Sequence, residues 1–223
     1  MYHGLPIGLG YLSVSFGFGI LAVKSGLNIA EATFISLTNM TSAGQAAGVG
    51  IIAASGTIIE MILTQLIINV RYSLMAISLT QKLDDSFTTP QRMLVSFGIT
   101  DEIFAVASSY PGKLDTVYMK GLILTPMIGW VGGTLLGAAA GELLPKLVTD
   151  SLGILLYGMF IAIIIPPCKK HHPVIAAIII AAAVSTAITI FAPFISAGFA
   201  VIISSVVSAV ITAALFPVKE DEQ

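Results

Sequence analysis

The sequence predicts an all-α integral membrane protein, a polytopic helical bundle of about seven to eight hydrophobic segments with broken helices. Three observations predict it. Of 223 residues, 56% are hydrophobic and 10% charged, with a mean hydropathy of +0.97, whereas a soluble domain carries about 25% charged residues. Five runs, Gly4 to Val23, Ala32 to Ile59, Gly121 to Gly141, Ser151 to Cys168 and Pro173 to Val218, contain no Asp, Glu, Lys or Arg. Each is near or above the ~20 residues that cross a ~30 Å hydrocarbon layer, and the last is long enough to cross twice. These runs also lack the period-2 alternation of a barrel, which leaves helices as the way to satisfy the backbone in lipid.

Eight segments follow in order. The first, about Leu5 to Val23, reads "GLPIGLGYLSVSFGFG", small residues spaced for close helix packing. The second, about Ile29 to Ala53, contains "NMTSAGQAAGVG". There Thr41, Ser42, Gly44 and Gln45 put hydroxyls, a glycine and an amide inside an apolar stretch, which weakens a helix and offers its backbone other hydrogen bonds. A break is expected, with a new helix starting after Ser42 or Gly44. The N–H groups of such a half-helix suit a carboxylate; a merely tightly packed spot is the alternative.

The third segment, about Thr57 to Leu79, is the most informative helix. At 100° per residue Thr57, Glu60, Thr64, Arg71 and Ser78 share a stripe, and Gln65, Asn69 and Tyr72 form another. Glu60 and Arg71 lie about 16 Å apart along the axis, too far to touch. Ionisable groups inside a membrane segment are candidates for function and need partners, although Arg71 could instead snorkel to the interface. Asn69 and Arg71 point about 200° apart on an ideal helix, so either the helix is distorted there or one of them serves a partner helix; the expectation is Asn69 toward a substrate and Arg71 paired with an acid.

The fourth segment, about Arg92 to Tyr110, contains "FGITDEIFAVASSYP". Thr100 can cap a helix that begins with Asp101 and Glu102, whose charges complement its dipole. A helix starting there has about ten residues before Pro111, too few to span. The segment therefore starts near Arg92 and breaks at Gly98, leaving the acids inside, where a carboxylate that gains and loses a proton couples a carrier to a proton gradient.

In the fifth segment, about Tyr118 to Ala140, Gly129, Gly133, Gly137 and Gly141 fall four apart and cut a groove down one face. Two glycine-rich segments, one in each half, are compatible with an internal repeat. The last three segments run about Leu147 to Ile165, Val174 to Phe191 and Phe194 to Phe216. Residues 1–218 thus read as one membrane-embedded transporter domain, and 219–223 as a short soluble tail.

Several classes fall away. The N-terminus lacks a basic n-region and a small-residue cleavage site, so it does not read as a signal peptide. The single Cys168 leaves neither an internal disulfide nor a cysteine metal cluster. No catalytic, metal or cofactor motif is present, so an enzyme is not expected, and a net charge of −2 gives no basis for binding nucleic acid. If all eight segments crossed from an inside N-terminus, Lys113, Lys120, Lys169, Lys170 and Lys219 would face in and Lys24, Lys82, Arg92 and Lys146 out, a weak asymmetry.

The chain resembles the AzlC family, the large permease subunits of branched-chain amino acid exporters. The likeness rests on "GLPIGLGYLSVSFGFGILAVKSGL", "SAGQAA" around Gln45, "NVRY" at Asn69 to Tyr72, "TDEIFA" at Thr100 to Ala105 and "GWVGGTLLGAAAG" from Gly129, in that order. It implies export of valine, leucine, isoleucine and sometimes methionine through a bacterial cell membrane, with a small AzlD-type membrane subunit as partner. Gln45, Asn69, Arg71, Asp101 and Glu102 fall in these motifs; Glu60 is added from the helical wheel alone. The expected site takes the substrate carboxylate at Thr41, Ser42, Gly44 and Gln45, and the ammonium at Asn69 and an acid, with Asp101 or Glu102 carrying a coupling proton. A substrate-binding membrane subunit of an ATPase-driven vitamin importer, or a passive channel, would share the hydropathy.

Overall fold

The computed structural model describes residues 2–143, 145, 147, 158, 161, 164–169 and 171–217. The named helices are α1 (Gly4–Lys24), α2 (Ile29–Thr38), α3 (Ala43–Ala53), α4 (Ile58–Thr80), α5 (Thr89–Phe97), α6 (Asp101–Ser109), α7 (Thr116–Leu143), α8 (His172–Phe191) and α9 (Ala197–Leu215). Extended pairing among the described residues is confined to one isolated bridge, Leu83 to Leu114. Among the described residues, five helices, α1, α4, α7, α8 and α9, are long and apolar enough to cross a membrane. Most of the expected sixth segment and all of the 219–223 tail lie outside the described residues. The chain divides into two compact units, Met1–Val49 with Ile68–Leu156, and Gly50–Ile67 with Tyr157–Gln223.

The first unit is built on α1 and α7. The glycine row does what its spacing promised: a methyl group at Gly129, Gly133 or Gly137 would collide with the backbone of Gly8, Leu12 or Phe16, respectively. Gly19 meets the α7 backbone reciprocally at Thr134 and Ala138. Residue numbers rise together along this contact, so the two helices run parallel. The two glycine-rich segments are each other's partners, which accounts for their composition without a repeat. Gly141 differs from the other three, because a methyl there would sit in ordinary contact, 3.5 Å from Ile20 Cα.

Both breaks form where composition placed them, but neither broken segment crosses. The chain leaves α1, makes a capping box at Asn28 and Glu31, and runs through α2 to Thr38. Residues 39–42 are non-helical, with Ser42 at φ 42°, and α3 turns back. Packing fixes the path: Leu27, Ala32 and Val49 share a cluster with Phe18 and Ala22 near the end of α1, whereas Met40 at the tip packs with Tyr11 and Trp130. The pair α2–α3 is therefore re-entrant up to Val49.

From the other end the chain enters through α5, started by a Thr88–Gln91 capping box and Pro90, stops at Gly98, and returns through α6, capped by Thr100. Asp84 N–H donates to Leu114 C=O (3.0 Å) and Leu114 N–H to Lys82 C=O (2.8 Å), so entry and exit are side by side. A cluster of Leu83, Phe87, Val95, Ile103, Ala107, Leu114 and Leu122 fills this hairpin's base. Gly98 is needed there because a methyl would run into the Ile123 side chain. Each half-helix, of 9 to 11 residues, is about 14–16 Å long, half the hydrocarbon thickness. Non-helical backbone at that depth is tolerated because protein surrounds it.

The expectation that the second and fourth segments span is thus corrected, and with it the charge count. In the first unit Lys82, Arg92, Lys113 and Lys120 gather at the end holding the start of α1, and Lys24 is at the other. Parity agrees: α4 is the one spanning helix in sequence between the parallel α1 and α7.

In the second unit α8 and α9 pack together, with Ser208 Oγ donating to Ala177 C=O at 2.6 Å. Glu60, 3% exposed, lies in the first turn of α4. Its carboxylate accepts the Ser196 hydroxyl and, at 2.9 Å, the Gly198 N–H, so it closes the N-terminus of α9.

Candidate functional site

The tips of the two re-entrant hairpins converge midway along α1 and α7. Around the α2–α3 tip, Gln45 is 1% exposed and both ends of its amide are engaged. Its Nε2 donates to Ser36 Oγ (2.8 Å), and its Oε1 accepts from Trp130 Nε1 (2.8 Å). Ser36 in turn bonds Thr134 Oγ1 at 2.7 Å, tying both half-helices to α7. Thr41 Oγ1 donates to Asn39 Oδ1 across the break at 2.7 Å, and Gly44 is buried in the first turn of α3. That first turn carries no acid, so the positive end of the α3 dipole is not matched by a side-chain charge of its own.

The α5–α6 tip has the opposite character. Asp101 and Glu102 occupy the first turn of α6. Asp101 Oδ2 pairs with Arg71 Nη2 at 3.1 Å, and the same guanidinium donates to Tyr72 Oη (3.1 Å). Arg71 thus meets an acid, the expected arrangement, while α4 runs unbroken through Asn69 and Arg71. It lies nine residues before Thr80, about 14 Å from the helix end, too deep to be explained as an interfacial side chain. Glu102 accepts the Tyr11 hydroxyl, which also bonds Thr100 Oγ1 at 2.6 Å.

Tyr11 joins the two tips. Its ring meets Trp130 edge-on, with centroids 5.2 Å apart, so one chain of contacts runs Thr134, Ser36, Gln45, Trp130, Tyr11, Glu102. Of the residues expected at the site, Gln45, Asp101, Glu102 and Arg71 fall in this region, with Thr41, Ser42 and Gly44 at the break and Asn69 half-buried two residues before Arg71 on α4. Glu60 belongs to the second unit and acts there as a helix cap. Tyr11, Trp130, Ser36 and Thr134 were missed. A buried Tyr or Trp needs a partner for its polar atom, and Tyr11 and Trp130 each sit in a glycine-rich run; that was the available signal.

These features define a class: a multi-pass helical membrane protein whose broken helices bring charged half-helix ends together at mid-depth, an arrangement found in transporters. The chain belongs to the AzlC family. The model of that family, described as AzlC protein, matches residues 6–144, from the first turn of α1 to the end of α7. An uncharacterized membrane protein of Archaeoglobus fulgidus is 30% identical over 77% of this chain and 76% of its own length. Inner membrane protein YgaZ of Escherichia coli is 28% identical over 74% of this chain and 71% of its own. An uncharacterized membrane protein of Helicobacter pylori is 28% identical over 63% and 62%. No solved structure matches the chain. Family and relatives point to a membrane transporter.

Proposed function

We propose that the chain is a secondary transporter that exports valine, leucine and isoleucine, with methionine as a related substrate, from the bacterial cytoplasm through the inner membrane. One observation carries this reading: two half-helix N-termini of unlike charge meet at the same depth. An α-amino acid is a zwitterion with its charges on adjacent atoms. The α3 end, at Thr41 to Gln45, offers N–H groups and a positive dipole to the carboxylate, and the acids at the start of α6, with Asn69, suit the ammonium. Aliphatic side chains and small residues around the break suit a branched apolar side chain and offer little to a polar one.

In this reading the export is proton-coupled. Asp101 pairs with Arg71 while the adjacent Glu102 holds the Tyr11 hydroxyl, so one of the two carboxylates can exchange a proton as the substrate ammonium comes and goes. Tyr11 positions Glu102, and Arg71 positions Asp101. The working unit includes a small AzlD-type membrane subunit, and no enzymatic step is needed.

The test is efflux of labelled leucine and valine from preloaded cells, with this chain alone and together with the small subunit. Expected are faster efflux, its loss with an uncoupler, and persistence of exchange but not uphill movement in Asp101→Asn or Glu102→Gln. If both variants pump normally, the coupling role is wrong. Absence of efflux in well-expressing cells overturns the substrate assignment.

A further inference from the structure

The regrouped cations raise a question that transport does not answer. Four lie at one end of the first unit, and three have protein partners. Lys82 Nζ donates to the carbonyls of Ser108 (2.6 Å) and Tyr110 (2.7 Å), Lys113 Nζ to Leu83 C=O (3.5 Å), and Arg92 Nε to Phe87 C=O (3.4 Å). Lys120 is exposed and makes no hydrogen bond or ion pair among the described residues.

Its depth can be placed. Helix α7 has 28 residues, about 42 Å, against a hydrocarbon layer of ~30 Å. Lys120 is four residues, about 6 Å, in from Thr116, which is the hydrocarbon boundary if the surplus is shared between the ends. The aromatic groups agree. Tyr118 stacks on Tyr110 with ring centroids 4.3 Å apart and bonds His3 Nδ1 at 2.9 Å, a cluster of the kind that marks the membrane–water interface.

Below Lys120 the surface is grooved. Between α5 and α7 lies an open cleft of about 340 Å³ walled by Leu94, Val95, Phe97, Ile123 and Leu124, with Lys120 as its one charged member. The cation-rich end is also the end that the positive-inside rule assigns to the cytoplasm, and that leaflet carries the anionic lipids.

We propose that this groove is a binding site for an anionic phospholipid, with an acyl chain lying between α5 and α7 and the phosphate on Lys120. The charge is complementary, the depth matches a headgroup, and the walls match a hydrocarbon chain. A lipid there buttresses α5, which makes few other contacts with α7 and forms the outer wall of the re-entrant hairpin that carries Asp101 and Glu102.

Native mass spectrometry of the full chain, released from micelles containing equal phosphatidylglycerol and phosphatidylcholine, tests this. The expected result is preferential retention of phosphatidylglycerol, reduced about fivefold in Lys120→Gln, the weight of one interfacial lysine near anionic lipid. Leu124→Trp, which fills the groove while leaving the lysine, should also lower retention. Both side chains are exposed, so neither change threatens the fold. Soluble glycerophosphoglycerol should not compete, because it has no chain to seat. Unchanged retention in either variant, equal retention of the two lipids, or effective competition by the soluble headgroup would each overturn the proposal.

Discussion

Replacing Gln45 by leucine isolates the contribution of the polar link between the hairpin tips. The change keeps side-chain volume roughly constant and removes an amide that two groups depend on. Ser36 loses its Gln45 bond but keeps Thr134 at 2.7 Å, so little is lost there. Trp130 is 2% exposed, and its indole N–H has one donor function, now spent on Gln45. Left without an acceptor, that N–H costs about 1–3 kcal/mol. Interhelical hydrogen bonds in membranes measure lower, about 0.6 kcal/mol on average with a maximum of about 1.7, because lipid-embedded unfolded states find other partners. Trp130 sits in protein rather than lipid, so about 2 kcal/mol is expected, a fall in Tm of about 4–8 °C for a chain of this length. Gln45→Leu combined with Trp130→Phe removes donor and acceptor together and should recover about 1 kcal/mol in a double-mutant cycle. Trp130 is the single tryptophan, so its emission in Gln45→Leu reports the site directly, and monodispersity after heating serves for the double variant. A single variant that melts with the wild type, or a double variant that is no better than the sum of its parts, would refute the argument.

Two further outcomes follow from the packing. Gly132 and Gly133 are neighbours, but a methyl at Gly132 meets nothing within 4 Å while one at Gly133 meets the α1 backbone. Gly132→Ala should melt like the wild type and Gly133→Ala should lose about 1–3 kcal/mol; equal melting of the two would mean that the helices are not in backbone contact there. Removing the carboxylate in Glu60→Ala should cost about 1–2 kcal/mol, as loss of a buried cap does, and should speed hydrogen exchange of the Gly198 amide; unchanged exchange would disprove the capping role.

What could be read from sequence was local. A run of hydroxyls and glycines predicts a break because it weakens one particular stretch of helix, and Ser42 and Gly98 mark those breaks within a residue or two. A four-residue glycine row predicts a close face because the spacing is intrinsic to the helix. Pairing across the fold was not legible. Glu60 lies on the polar stripe of α4, yet its partners are 136 and 138 residues away, and no periodicity points to them. The same holds for Gln45 and Trp130, 85 residues apart. Counting segments failed for a related reason: hydropathy measures whether a stretch tolerates lipid, and a hairpin that enters and leaves by one side satisfies that test as well as a helix that crosses.

The shared spacing of the α1 and α7 contacts has a mechanical meaning. Backbone knobs at Gly8, Leu12 and Phe16 now occupy notches at Gly129, Gly133 and Gly137, and the spacing of knobs and notches is the same. Any small slide of α1 along α7 drives a knob against a filled position. A slide of one whole pitch, four residues or about 6 Å, would bring the knobs opposite Gly133, Gly137 and Gly141, but it would also put Ser15 where Gly19 now meets the Thr134 and Ala138 backbone with no room for a Cβ. In the opposite direction the next position is Thr125, whose side chain blocks the path. The interface is therefore a rack locked in both directions, rigid to small displacements and closed to the whole-pitch step that its glycine spacing alone would allow.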